Sequence, residues 1–239
     1  MADIKLDALA IAAHRDDIEI TCGGTIIKMV DMGKKVGFLD LTEGEMGTKG
    51  TAEERGAEAK EAAKIMGLTF RANLRLPDAG VEVTQDNKLK IAQVIRDTRP
   101  ELVILPYWTQ RHPDHLMASL LGYDACYFAG LKKLDLDGDP HRPRKIIYTS
   151  SFRDGQHSFF VDVTDQFDRK LKAVAAYKSQ FDGTPSSREI YRPGVDIFEY
   201  MTITARHYGN RVGVKYAEAF AIKESILIDN PISMPVRSI

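Results

Sequence analysis

From Ala8 to Ala129 the chain repeats one pattern: a short apolar run, then turn or polar residues, then apolar residues at helical spacing. The apolar runs "ALAIAA" (8–13), "KVGFLDLT" (35–42), "ANLRLP" (72–77) and "ELVILPYW" (101–108) are strand-length. Helices are predicted between and after them, over 18–32, 51–67, 86–98 and about 116–129. Gly33 closes the first helix. Thr51 and Glu54 stand at capping-box spacing, and Gly67 stops the second helix. The third ends before Pro100. Strands that alternate with helices of this length are joined by right-handed βαβ crossovers. The predicted fold is therefore α/β, a Rossmann-like, doubly wound, mostly parallel sheet. In such a sheet ligands bind beyond the carboxyl ends of the strands, where the strand order reverses.

The second half predicts a less regular C-terminal part. "RKIIYTSS" (144–151) and "HSFFVDVT" (157–164) read as strands, with Thr164 as cap of a helix over 165–180. A Gly-, Pro- and Ser-rich loop follows at 181–194, then a helix over 196–208 and a strand at "YAEAFAIK" (216–223). No internal repeat or linker divides the chain, so one domain over 1–239 is expected.

Hydrophobic residues make up 44% of the chain, enough for a sizeable core. The 33 basic and 34 acidic residues leave a net charge of −1 without a long basic run, which argues against electrostatic binding of nucleic acid or anionic membrane. Two cysteines, Cys22 and Cys126, cannot build a disulfide framework; both read as core residues and fit a reducing, cytoplasmic setting. The start of the chain, with Asp3, Lys5 and Asp7, reads as neither a leader nor a membrane span, which takes about 20 apolar residues.

Two charged clusters, "AHRDD" (13–17) and "RHPDH" (111–115), fall at the carboxyl ends of predicted strands. Adjacent carboxylates repel unless a cation lies among them. A catalytic zinc takes three ligands from His, Asp, Glu or Cys and keeps one position open. His14 and Asp17 are spaced to share one ion, and His112 or His115 supplies a third ligand. Asp16 is then the natural base, and the other histidine of "HPDH" an acid or oxyanion partner, with Asp114 on its second nitrogen. Taken singly, these residues have plainer readings: Asp16 and Asp17 as helix-start charges, His112 and Asp114 as an ordinary turn. His141, His157 and His207 show no ligand spacing, and "LDLDGDP" (134–140) lacks the glycine and closing glutamate of a calcium loop. A dinucleotide-binding role is weak, because no G-x-G-x-x-G follows the first strand.

The paired clusters resemble the PIG-L/LmbE-like zinc N-deacetylases, whose pattern is A-H-[P/A]-D-D-x-E followed by H-P-D-H. Here they read "AHRDDIE" (13–19) and "HPDH" (112–115). "CGGTIIK", "EERGAEAKEAAKIMG", "NLRLPDAG", "ELVILPYW" and "GVKYAEAF" extend the likeness over most of the chain. The resemblance implies that His14, Asp17 and His115 hold Zn2+, that Asp16 is the general base, and that His112, oriented by Asp114, is the acid and electrostatic partner. It places Arg55 at an active-site arginine and Arg111 and Arg142 near the substrate pocket. The plain reading of Arg55 is an ion-pair partner on an exposed helix. Two points depart from the pattern. Arg15 replaces the usual Pro or Ala, its side chain expected to point away from the metal. An oxyanion-side tyrosine has only Tyr191 and Tyr200 as candidates.

The implied reaction removes the N-acetyl group from an N-acetylglucosamine conjugate. N-acetylglucosaminyl malate of bacillithiol biosynthesis is the first expectation, its two carboxylates matching Arg55, Arg111 and Arg142. The alternatives are simple N-acetylglucosamine or chito-oligosaccharides, and, from another class, a metal-binding module without catalysis. His and carboxylate ligands also accept Fe2+ or other divalent metals. The resemblance further implies a homo-oligomer, trimer or hexamer, acting on a small molecule.

Overall fold

The computed structural model describes residues 4–150, 155–181 and 196–236. The predicted loop at 181–194 lies outside these residues beyond Phe181, as does Tyr191. The elements run β1 (Ala8–Ala12), α1 (Asp17–Asp31), β2 (Val36–Thr42), α2 (Ala52–Met66), β3 (Phe70–Leu76), α3 (Gln85–Thr98), β4 (Leu102–Leu105), α4 (Pro113–Ala129), β5 (Lys145–Thr149), β6 (Phe159–Asp162), α5 (Phe167–Ala175), α6 (Ile197–Val212) and β7 (Ala217–Ala221). They form one seven-stranded sheet of order β3-β2-β1-β4-β5-β7-β6. The four pairings among β1 to β5 are parallel, and β7 runs antiparallel between β5 and β6. The α/β expectation holds, including the less regular C-terminal part.

Residue size along β1 explains how two helix layers reach the sheet. Leu9, Ile11 and Ala13 face a cluster shared with α3 and α4, while Ala8, Ala10 and Ala12 face α1. Alternation of side chains across the strand buries both sets, and the alanine face leaves room for a close helix. Each fully buried Leu or Ile in these clusters contributes roughly 1.5–3 kcal/mol relative to exposure. No helix among the described residues is long and apolar enough to cross a membrane.

Helix α1 is broken at Cys22, whose φ of −141° is not helical. The break frees amides, and Glu218 of β7 takes two of them: Gly24 N–H at 2.9 Å and Thr25 N–H at 2.7 Å. Lys170 of α5 closes the charge at 2.6 Å. Gly24 is needed here, because a Cβ would lie 2.8 Å from Val163. Cys22 is itself fully buried, in line with a packing role.

Helix α5 is shorter than the predicted 165–180 and starts at Phe167 after Gln166; Thr164 instead bonds Asp162. Its end is set by tertiary demand. Tyr177 turns its hydroxyl onto Glu19 at 2.7 Å, and Gln180 donates to the Lys49 carbonyl at 2.6 Å.

Candidate metal centre and active site

β1 and β4 are neighbours, and the strand order reverses between them. Both carry their charged cluster into the N-terminus of the following helix. Asp16 is the N-cap of α1 and Asp17 its first residue, while His112 is the N-cap of α4 with Pro113 behind it. The Asp17 carboxylate accepts the His14 amide at 2.9 Å, which folds the loop so that side chains 14 and 17 share one side. His115, one turn into α4, meets them.

The three meet closely. His14 Nδ1 lies 3.2 Å from His115 Nε2 and 3.4 Å from Asp17 Oδ2, and His115 Nε2 lies 3.2 Å from Asp17 Oδ1. A tetrahedral ion with bonds near 2.05 Å spaces its ligand atoms about 3.3 Å apart, so this nitrogen–nitrogen–oxygen set fits a catalytic metal of the zinc kind. His112 and Asp114 form a second metal-capable group with His14. In the described geometry, however, His14 Nε2 already faces Asp78 Oδ1 at 3.0 Å and Asp114 Oδ2 at 3.6 Å. Those two carboxylates hold Nε2 as the protonated nitrogen and leave Nδ1 for a metal, the arrangement in which an outer carboxylate orients a ligand histidine.

Electrostatics agree with a cation site. Burial works against a charged His14, yet the carboxylates of Asp114, Asp17 and Asp78 outweigh it and raise its pKa to about 12. Burial likewise opposes ionisation of Asp17, and the two histidines still hold it well below the usual carboxylate range. His112 is shifted the other way, down, by burial and by the positive charge of His14 and His115.

Asp16 is buried at the wall of the same cleft, beside Arg55 Nη2 at 3.6 Å. Burial raises its pKa while Arg55 pulls it back. A carboxylate made more basic by burial suits the part of a general base. Arg55 is buried and points into the site, not an exposed helix-surface partner. Arg15 points away from His14 as expected, donating to the Ala52 carbonyl at 2.5 Å and to Glu43 at 3.0 Å. The cleft holds about 360 Å³ and is lined by Thr48, Arg55, Asp78, Gln110 and Arg111 around the histidines.

Beneath the cleft a buried network fixes the loop. Arg71 pairs with Asp40 at 2.8 Å and Glu19 at 2.6 Å and donates to the Arg15 carbonyl, which Tyr177 also reaches. The glutamate of "AHRDDIE" thus supports the backbone under the ligands.

Three expectations need correction. Arg142 does not reach the cleft: its guanidinium stacks on Tyr127 at 4.5 Å and lines a hollow with Asp7, Arg99 and Glu101. Those residues precede β1 and β4, and Arg142 precedes β5, so all lie at the amino ends of the strands, opposite the site. The Asp114 carboxylate does not hold His112; it accepts the amides of Ala79 at 2.8 Å and Val81 at 3.3 Å and faces His14. His112 Nδ1 instead accepts the Asp114 backbone N–H at 3.2 Å, the N-cap bond of α4. Tyr200 lines a different, small cavity with Lys170 and Glu218.

One site residue escaped the motif reading. Asp78 accepts from the amides of Met46 and Ala79, both at 2.9 Å, as well as facing His14, and despite burial these hold its pKa at about 2. Its signal was position: it follows β3, at the same sheet edge as the two clusters.

Comparison with known proteins agrees with this geometry. The PIG-L family, described as GlcNAc-PI de-N-acetylase, matches residues 9–126. The chain is similar to the diacetylchitobiose deacetylase of Thermococcus kodakarensis, 33% identical over 95% of this chain and 86% of that protein. It is more distantly similar to a probable N-acetyl-α-D-glucosaminyl L-malate deacetylase of Bacillus cereus, 24% identical over 72% of this chain and 82% of that one. Among solved structures it resembles a conserved protein of Thermus thermophilus, with a TM-score of 0.85 and 40% identity over 93% of this chain and 97% of that chain. With the His–Asp cluster at the switch point of the same fold, these likenesses are sufficient: the chain belongs to the PIG-L family of N-deacetylases.

Proposed function

We propose that the protein is a metal-dependent hydrolase that removes the acetyl group from an N-acetylglucosamine-containing small molecule. The observation that carries this is the meeting of His14, Asp17 and His115 atoms at 3.2–3.4 Å beside the buried Asp16, at the wall of an open cleft. His14, Asp17 and His115 would hold the metal, Zn2+ by its donor set. A divalent ion there would acidify water and polarise the acetamide carbonyl.

The chain's own groups supply the rest. Asp16 takes the proton from the attacking water, its basicity raised by burial and trimmed by Arg55. His112 accepts the Asp114 N–H at Nδ1, so its neutral form carries the proton on Nε2, available to the carbonyl oxygen or to the departing amine. Arg55 and Gln180, both buried, line the cleft, and Arg111 stands at its exposed rim.

For the aglycone, the placement of the arginines favours a neutral amino sugar such as a short chito-oligosaccharide. Arg142 stands at the far end of the sheet, and Arg55 is engaged by Asp16 and the Gly44 carbonyl. The malate conjugate is the second reading and rests on Arg111. Acetate release from diacetylchitobiose, N-acetylglucosamine and N-acetylglucosaminyl malate, with metal-loaded protein and Asp16→Asn as control, tests this. Release from the neutral sugars that vanishes in the variant supports the reading. Strong preference for the malate conjugate moves the assignment to that branch, and no release from any of the three refutes N-acetylglucosamine deacetylation.

A further inference from the structure

Arg15 stands between His14 and Asp16, where the family pattern carries Pro or Ala. A guanidinium left in the cleft would compete with a metal cation, so the side chain has to leave, and it does. Arg15 is 7% exposed and lies against the start of α2. Its Nη1 donates to the Ala52 carbonyl at 2.5 Å and its Nη2 to Glu43 Oε1 at 3.0 Å. Gly56 gives it room, since a Cβ there would lie 3.3 Å from Nη1. From behind, the Arg15 carbonyl accepts from Arg71 and Tyr177.

The two acceptors stand at the two ends of one loop. Residues 43–51 join β2 to α2 without strand or helix, and they include Gly44, Gly47 and Gly50. Gly44 and Gly50 have φ of 72° and 71°, a backbone that other residues rarely adopt. A segment of this kind has little local structure to order it and depends on ties from elsewhere in the fold. Between its ends, Met46, Gly47 and Thr48 line the cleft. Asp78, Arg55 and Gln180 tie it from within the cleft, at the Met46 amide and the Gly44 and Lys49 carbonyls. Arg15 and Glu43 tie it from outside, since neither lines the cleft.

We infer that Arg15 is a positioning residue: its planar guanidinium clamps Glu43 to Ala52, closes the loop between them and holds Met46, Gly47 and Thr48 as a wall for the substrate. Closing a loop by its ends removes conformations that an open segment samples. A sugar that needs the wall in place binds in proportion to the fraction of molecules that have it. Arg15 therefore sets KM without touching the sugar. Turnover of the bound sugar falls to Asp16, His112 and the metal ligands, which the clamp does not engage. The effect on KM rests on the deacetylase reading, whereas the clamp itself does not.

Arg15→Ala, Glu43→Ala and the double variant test this. Circular dichroism reports folding, a chromophoric chelator metal affinity, and hydrogen–deuterium exchange the order of residues 43–51. Ala belongs to the family pattern at position 15, so the fold should survive; should it not, Glu43→Ala, whose side chain is 32% exposed, carries the same test. In Arg15→Ala, KM for the N-acetyl sugar that the parent hydrolyses should rise about fivefold or more, with kcat and metal affinity within about twofold of the parent. The amides of 43–51 should exchange about tenfold faster while those of β4 keep their rates. The double variant should be no worse than Arg15→Ala, because partners in one tie are not additive. A parent-like KM or a parent-like exchange rate in the folded variant overturns the inference. So do losses confined to kcat or metal binding, or fully additive losses in the double variant. If the parent hydrolyses none of the sugars, the deacetylase reading fails by itself and exchange alone decides the clamp: faster exchange upholds it and unaltered exchange overturns it.

Discussion

Arg55 Nη2 lies 3.6 Å from Asp16 Oδ2, while Nη1 of the same guanidinium donates to the Gly44 carbonyl at 2.9 Å. Gly44 has a φ of 72°, and a Cβ there would fall 2.0 Å from Nη1, so loop and arginine are fitted to each other. Burial raises the pKa of Asp16 and Arg55 opposes it. Removing the cation in Arg55→Met should raise that pKa further, so a base that must be deprotonated stops working at a higher pH. The acid limb of the kcat/KM profile should move upward with metal content unchanged. A limb that stays in place would show that Arg55 serves only the substrate. Asp16→Asn should lower kcat by about 10²–10⁴-fold while the protein retains its metal.

Asp78 would act on a bound metal through His14, whose Nε2 it faces at 3.0 Å. An outer carboxylate of this sort typically accounts for about 10–100-fold in metal affinity. Asp78→Asn should weaken metal binding by that order, measured by competition with a chromophoric chelator. The ligands His14, Asp17 and His115 are unchanged in it, so binding should weaken and not vanish. Unaltered affinity would restrict Asp78 to shaping the loop at Met46 and Ala79.

Much of this centre was legible in the sequence because strand ends and helix starts are local. "AHRDD" and "RHPDH" each follow an apolar run, and the sheet then brought two such ends together. Arg142 was misplaced for a topological reason: a residue just before a parallel strand lies at the amino edge, away from the ligands. The hold of Asp114 on Ala79 and Val81 crosses 33–35 residues and depends on how the loop after β3 lies, which no local spacing encodes. The same holds for Glu218, whose capping of the α1 break spans 193–194 residues.

Glu19 gives a pH dependence of stability. Burial pushes its carboxyl up from 4.5 to about 7, Arg71 opposing and Asp40 adding to the rise. Between those values the folded chain keeps a proton that the unfolded chain has released, so stability falls as pH rises, by at most about 1.4 kcal/mol per pH unit. Glu19→Gln cannot ionise. Its Tm relative to the parent should therefore climb from about pH 5 to about pH 8 in thermal melts. A constant difference would mean that Glu19 stays charged against Arg71 throughout.

Lys170 and Glu218 are 3–4% exposed and paired at 2.6 Å, with the carboxylate also capping Gly24 and Thr25. Lys170→Met leaves that carboxylate buried without its cation, which typically costs about 3–5 kcal/mol. Urea unfolding should show a loss of that size. Glu218→Gln/Lys170→Met should recover only part of it: the buried charge is gone, but the single amide oxygen accepts one of the two α1 amides and leaves the other without its acceptor. A single variant as stable as the parent would show that the amides alone satisfy Glu218.

We expect the size of the acyl group to be set beside His115 and Asp17. A recess of about 20 Å³ adjoins Asp17 and His115, walled by Ala12, Ile104, Leu105, Pro106 and Thr149. That space takes about one water-sized group, hence a methyl. The acetyl group of the proposed substrate should fit it, and a propionyl group should bring one methylene too many. Exclusion of one methylene from an apolar pocket is worth about 10–200-fold, so kcat/KM for an N-propionyl sugar should fall by that factor against its N-acetyl counterpart. Ile104→Val removes one methyl from the wall at a cost of about 0.5–1.5 kcal/mol in stability. It should narrow the preference by improving the propionyl substrate. Equal turnover of both substrates by the parent would place the acyl group elsewhere in the cleft.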